Sequence, residues 1–318
     1  MKDPIAVLGE CVADAFVTPG DPTDSAPGSG LGLDVLPGGG PANTAVALAR
    51  LGTPARFLGR LSGDVFGTLF RDRLTAAGVD LTSSVRAQEP STLAIAALDG
   101  AGRADYSFHA EGAADWQWTA AELRAAMAAP LSCLHTGSLA LVRAPGATPL
   151  ENALSQAAPR ATISLDPNVR PLLVDPAIYR ARLPRWCALT DILRLSDDDL
   201  AHVLPGAGPA EAADRFHAWG APLVVITLGA SGAFASLAGT RLHVPAPTTQ
   251  VVDTVGAGDA FMAGFLHVLH TTDALGSRLH TLTTQQLEPA LHFAVRVAAA
   301  VCGVRGADLP AESPLHAA

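Results

Sequence analysis

Along this chain, short unbroken apolar runs alternate with longer stretches in which apolar residues recur every three or four positions. Residues 5–8, Ile-Ala-Val-Leu, form such a run and stop at Gly9, the pattern of a buried strand. Runs at 55–61, 132–136, 162–165, 191–195 and 223–228 predict further strands. The stretches 66–77, 149–158, 176–183, 197–204 and 210–219 carry the spacing of amphipathic helices, the first ending at Gly78, a typical stop. This alternation predicts an α/β fold: a doubly wound, mostly parallel sheet flanked by helices through right-handed crossovers. No repeat and no linker-like composition divides it, so residues 1–318 are expected to form one domain.

One region departs from the alternation. Segments 10–17 and 33–36 read as short strands around a loop, 19–32, rich in Pro, Gly, Ser and Asp. Two alternating runs, 92–98 and 103–109, are joined by Asp99-Gly100-Ala101-Gly102, a strong hairpin signal. Together they predict a small antiparallel sheet, inserted from about 11–36 and 90–112, that projects as a lid and excludes water from the chemistry beneath. Its outer face is alternatively a place for a second subunit, giving a homodimer. Trp116 and Trp118, just beyond, read as packing residues.

The stretch Val251-Val252-Asp253-Thr254-Val255-Gly256-Ala257-Gly258-Asp259-Ala260-Phe261 concentrates the chemistry. Val251 and Val252 predict a strand end, and Gly256 and Gly258 a sharp turn. Ala260, Phe261, Gly264, Phe265, Val268 and Leu269 form the buried face of a helix over 257–270. The first N–H groups of a helix lack internal partners and, with the helix dipole, make an anion site. Asp259 falls beside it. It could be a cap, but Asp253 and Thr254 already serve, and a carboxylate against an anion site points to a chemical task.

A second glycine turn, Gly38-Gly39-Gly40, precedes Pro41, which opens a helix with Asn43 in its first turn. Asp14 and the run Asp166-Pro167-Asn168-Val169-Arg170-Pro171 follow strands, and ligands gather at the carboxyl ends of strands in open parallel sheets. On residues alone, Asp14 reads equally as a turn aspartate and Arg170 as a surface arginine. Ser196 and Asp199 read as a helix cap with an acid in the first turn.

Composition narrows the chemistry. A formal charge of −9 disfavours a nucleic-acid partner. Lys2 is the single lysine, so neither a P-loop lysine nor a Schiff-base lysine exists, and any phosphate must be held by backbone amides, arginines and metal ions. Cys11, Cys133, Cys187 and Cys302 are scattered without metal-ligand spacing and read as reduced core residues of a cytoplasmic protein. No apolar run is long enough to span a membrane. His267 and His270 share a helix face and are expected to be exposed.

Asp253 to Phe261 resembles the signature of the ribokinase-like (PfkB) carbohydrate kinases, and Gly38-Gly39-Gly40-Pro41-Ala42-Asn43 resembles their N-terminal signature. The two stand in the family's order, and the resemblance spans essentially the whole chain. It implies an ATP-dependent kinase with magnesium, and potassium as a further candidate cofactor. Asp259 would accept a sugar hydroxyl proton while the N–H groups of Gly256, Ala257 and Gly258 stabilise the moving phosphoryl group. Asp14, Gly38, Gly39, Asn43 and Arg170 would hold the sugar. Thr227, Gly229 and Gly232, in a Thr-Leu-Gly-x-x-Gly run, would hold the nucleotide, with Ser196 and Asp199 standing where the family often has Asn-x-x-Glu. Asp253 would belong to a monovalent-cation loop, and the segment 303–307 would border the adenine. Gly-Gly-x-Pro-Ala-Asn and Asp-Pro-Asn-x-Arg resemble the fructokinase branch, with His109 near where such chains carry Tyr-Arg. A 2-keto-3-deoxygluconate kinase, a nucleoside kinase and a non-catalytic sugar- or nucleotide-binding regulator are the alternatives.

Overall fold

Strand residues in the computed structural model, which describes residues 2–18, 32–98, 104–276, 278–279 and 282–310, alternate between two apolar cores. Ile5, Val7, Ile192, Leu223 and Val225 pack to one side with Leu48, Phe70, Phe261 and Leu287. Ala6, Leu8, Leu193, Val224 and Ile226 pack to the other with Leu150, Leu183, Leu200 and Phe216. Both faces of the sheet are therefore covered by helices, which is why its strands read as unbroken apolar runs. The eight-stranded sheet runs in the order Thr240–Val244, Ala233–Leu237, Leu223–Thr227, Ile192–Ser196, Thr162–Asp166, Cys133–Gly137, Ile5–Leu8, Ala55–Leu58. The last six are parallel, and Ala233–Leu237 is antiparallel to both its neighbours.

The sheet expected to form a lid has four strands, in the order Gly32–Gly38, Val12–Thr18, Thr92–Leu98, Ala104–His109. Two antiparallel pairs are joined by a parallel central pair. The hairpin turn at 99–102 and most of the loop at 19–32 lie outside the described residues. Asp115 roots the two central strands: its Oδ1 accepts the Cys11 N–H at 3.0 Å and its Oδ2 accepts the Thr92 hydroxyl at 2.7 Å.

Several expectations are corrected. The predicted strand at 55–61 breaks at Gly59 into Ala55–Leu58, in the main sheet, and Arg60–Ser62, which pairs with Val85–Ala87. The helix expected to stop at Leu183 continues as Pro176–Leu189 through Pro184, because Trp186 and Cys187 beyond it are fully buried. Val251 and Val252 are exposed and form no strand; the Val252 N–H donates to the Cys302 carbonyl instead. His270 is buried, with Nε2 on the Asp3 carbonyl, and His267 meets the Thr53 hydroxyl at 2.8 Å. The last helix spans Thr284–Cys302. Trp116 and Trp118 are packed in the core as expected.

Two buried carboxyls lie under the lid roots. Burial, opposed by a Ser138 hydrogen bond and reinforced by the Asp115 charge, pushes Glu10 up to about 7. Burial likewise pushes Asp115 up to about 6. A carboxyl raised on folding favours the fold while protonated, and that contribution is lost as pH rises through the folded pKa. His135, which burial lowers to about 3, acts in the opposite direction at mildly acid pH, so a variant comparison is the clean readout. Glu10→Gln should gain on the parent by about 3 kcal/mol at most between pH 4.5 and pH 8, read by urea unfolding at both. An unchanged gap would show Glu10 to be solvated.

Candidate active site

The parallel strands end on one edge, and the chain turns there after each of them. Glu10, Ser138, Asp166, Ser196 and Thr227 all sit at or just past a strand's carboxyl end. The helix Ala257–Thr271 points its N-terminus at this edge, and Gly256 caps it with φ 75°, a left-handed angle that suits glycine. A Cβ at Gly256 would also overlap Ala307. The Ala257 N–H closes a turn on the Thr254 carbonyl at 3.2 Å, while the N–H groups of Gly258 and Asp259 are not spent in the helix ladder.

Asp259 is half-buried, and its Oδ2 accepts the Asn43 Nδ2 proton at 2.9 Å. A Cβ built on Gly40 would lie 3.0 Å from Asp259 Oδ1 and 3.0 Å from Asn168 Nδ2, so these groups surround one small gap. Burial pushes Asp259 up to about 6; the Asn43 hydrogen bond opposes this, the Asp166 charge adds to it, and Arg170 and Arg194 pull it down. Both arginines act through their charge, without a salt bridge to Asp259 among the described residues.

Arg194 was not expected from the sequence. It is buried, donates to Asp166 Oδ2 at 2.6 Å and to the Thr227 hydroxyl at 2.7 Å, and faces the Phe261 ring. A Cβ on Gly258 would lie 2.8 Å from Arg194 Nη2, so the guanidinium sits directly against the glycine turn. The available signal was an arginine inside the apolar run Ile192-Leu193-Arg194-Leu195, since charges are almost never fully buried unless paired.

Asp14 is half-buried near Arg170; burial pushes it up to about 6, against the charges of Arg170 and Arg73. A Cβ on Gly38 would overlap its carboxylate. Gly39 has φ 101°, and a Cβ there would come within 2.6 Å of the Glu10 carbonyl. Strand register places Asp14, Leu36, Ala94 and Phe108 in one row on one face of the lid, with Phe16 and Tyr106 in the next row of that face. His109 pairs with Leu93 on the opposite face, so Phe108 and not His109 shares the side of Asp14.

The remaining expected residues divide. Gly229 and Gly232 turn the chain sharply beside Thr227, with φ 52° and 95°. Arg170 is exposed and makes no salt bridge among the described residues. Asp199 is spent on the chain itself: Oδ1 accepts the Val169 N–H at 2.7 Å and Oδ2 accepts the Ser196 N–H and hydroxyl. Asp253 accepts the N–H groups of Val255 and Gly306, at 3.0 and 2.9 Å, which lower its pKa from the ordinary carboxylate value.

Comparison with known proteins agrees with this fold. Residues 2–314 match the profile of the pfkB family carbohydrate kinases. A fructokinase of Rhizobium leguminosarum bv. trifolii is 37% identical over 276 residues, 86% of this chain and 82% of that one. The crystal structure of a Xylella fastidiosa fructokinase with bound ATP superposes with a TM-score of 0.82 at 28% identity, over 96% of this chain and 94% of that one. A Vibrio cholerae O395 fructokinase with fructose, ADP and calcium bound gives 0.80 at 25% identity, over 99% and 98%.

The buried pair yields a stability test. Arg194→Met strands the Asp166 carboxylate and should cost about 3–5 kcal/mol in urea unfolding. A cost below about 1 kcal/mol would mean that water already reaches the pair.

Proposed function

The chain belongs to the pfkB family of carbohydrate kinases, and from that premise we propose that its sugar is fructose and that Asp259 is the general base of the transfer. The reaction moves a phosphoryl group from ATP to a sugar hydroxyl. The observation that carries the site assignment is the placement of Asp259: Oδ2 is held by Asn43, Oδ1 faces the gap by Gly40, and two unspent amides lie in the same helical turn. A hydroxyl in that gap would give its proton to Oδ1, late in a loose transition state, so a base with a pKa of about 6 suffices. The N–H groups of Gly258 and Asp259, with Arg194 behind them, would meet the charge on the phosphoryl oxygens. Arg194 thereby answers the missing phosphate lysine.

Asp14, Gly38 and Gly39 would orient the sugar, and Thr227, Gly229 and Gly232 the nucleotide. Ser196, Asp199 and Asp253 would act by holding those loops. Magnesium would neutralise the nucleotide phosphates; no three His, Cys, Asp or Glu side chains gather as a metal cage among the described residues, so its protein contacts would be few. Potassium would find mainly carbonyls near Asp253. Unpaired cysteines fit a reducing cytoplasm, and among the described residues no helix is long and apolar enough to cross a membrane. Exposed Phe16, Leu33 and Tyr106 fit a lid that covers the sugar or pairs with a second copy.

Fructose rests on the relatives; an acid sugar is the second reading, because Arg170 is exposed and makes no salt bridge among the described residues, so its guanidinium could take a carboxylate. ADP release with ATP, magnesium and a sugar panel, with and without potassium, separates them: fructose should give the highest kcat/KM. ADP formed equally without sugar would remove the kinase reading. Asp259→Asn should lower kcat by roughly a hundredfold or more with the sugar Kd nearly unchanged. In the parent, kcat/KM should fall as pH drops through about 6, where Asp259 and Asp14 gain protons.

A further inference from the structure

Asn43 touches Asp259, but nothing in Asn43 itself decides which end of its amide does so. An asparagine amide carries an oxygen that accepts and a nitrogen that donates, and the two ends are nearly equal in shape. Its two neighbours decide it together, since an ionised carboxylate only accepts and a guanidinium only donates. Arg73, in the last turn of the helix Val65–Ala76, donates from Nη1 to Asn43 Oδ1 at 2.9 Å. A guanidinium has only donors, so it must face the amide oxygen, and the amide nitrogen must then face Asp259.

Arg73 is fixed in turn. Its Nη2 donates to Asp308 Oδ1 at 2.9 Å, and Asp308 Oδ2 accepts from Arg50 Nη2 at 3.2 Å. Arg50 also donates to the Leu309 carbonyl at 3.3 Å. The Arg73 side chain is 12% exposed, so this pairing is shielded from competing water. The segment that supplies Asp308 also carries Ala307 against Gly256 and the Gly306 N–H on Asp253. One stretch of chain therefore braces the glycine turn on one side and the partner of the base on the other.

We propose that Arg73, anchored by Asp308, is a positioning residue for the transfer: it pins the oxygen end of the Asn43 amide, whose nitrogen end then holds Asp259 Oδ2 in place and leaves Oδ1 to take the hydroxyl proton. The inference rests on Asp259 being the base. Without Arg73 the Asn43 amide is held at one end only, and its movement carries the Asp259 carboxylate out of line. Displacements of about 1 Å at such a group cost up to roughly a hundredfold in rate.

The charges that face Asp259 are Asp166, Arg170 and Arg194, and Arg73 also bears on Asp14. A shift of the acid limb in an Arg73 variant thus mixes Asp14 with Asp259. A double-mutant cycle in kcat avoids the mixture. The cycle uses the purified chain with ATP, magnesium and the sugar that the parent turns over best, and variants Arg73→Met, Asn43→Ala and both together. Arg73→Met should lower kcat roughly tenfold, with both KM values within about threefold. The double variant should be no slower than Asn43→Ala alone, and Arg73→Lys, which keeps a donor, should recover part of the loss. Multiplicative losses, or an Arg73→Met variant with parental kcat, would overturn the proposal. If Arg73→Met does not fold, Asp308→Asn takes its place in the same cycle with the same two outcomes. A parent that phosphorylates no sugar would instead remove the reading of the base on which the proposal rests.

Discussion

A hydrogen bond of 2.9 Å between Asn43 and Asp259 joins the two parts of the chain that carry its glycine turns. The helix Gly40–Arg50 brings the amide, the helix Ala257–Thr271 brings the carboxylate, and Phe261 and Leu48 share one apolar core beneath them. Burial alone would protonate Asp259 at neutral pH or drive it outward. The amide, with Arg170 and Arg194 at a distance, keeps it ionisable near pH 6 without neutralising it in an ion pair. A carboxylate clasped by an arginine would be a poor base, and one without a donor would not stay in place. The glycines follow from the same requirement: Gly38, Gly40 and Gly258 each lie where a methyl group would crowd a charged side chain.

In the proposed reaction the anion side is met without a lysine. Arg194 reaches the glycine turn from a buried strand, with Asp166 and Thr227 fixing two of its nitrogens. A paired, immobile guanidinium needs no reorganisation when charge arrives, which is the condition for electrostatic stabilisation of a transferring group. Asp199 contributes at one remove, by holding the Val169 amide and so the loop that carries Asn168 and Arg170.

Much of this was legible in the chain. Apolar runs such as Ile5–Leu8 and Leu223–Thr227 were readable because both faces of the sheet are covered, and the glycine turns point to the candidate site because few other residues fit there. What failed did so where a distant contact outweighs a local rule. Pro184 sits in a helix that buried Trp186 holds together, and Val251 and Val252 lie exposed because the backbone there bonds to Cys302. His270 is drawn inward by the Asp3 carbonyl, from the far end of the chain. Asn43, Arg73 and Asp308 belong to separate elements, and no spacing in the sequence announces that they meet. Arg194 alone was readable, as a charge in an apolar strand.

The most direct test of the account is a crystal structure with fructose, ADP and a planar metal fluoride in place of the moving phosphoryl group. A sugar hydroxyl should lie about 2.6–3.2 Å from Asp259 Oδ1, and the fluoride should accept from the Gly258 and Asp259 N–H groups. A hydroxyl that meets a different base, with Asp259 turned from the sugar, would contradict the account.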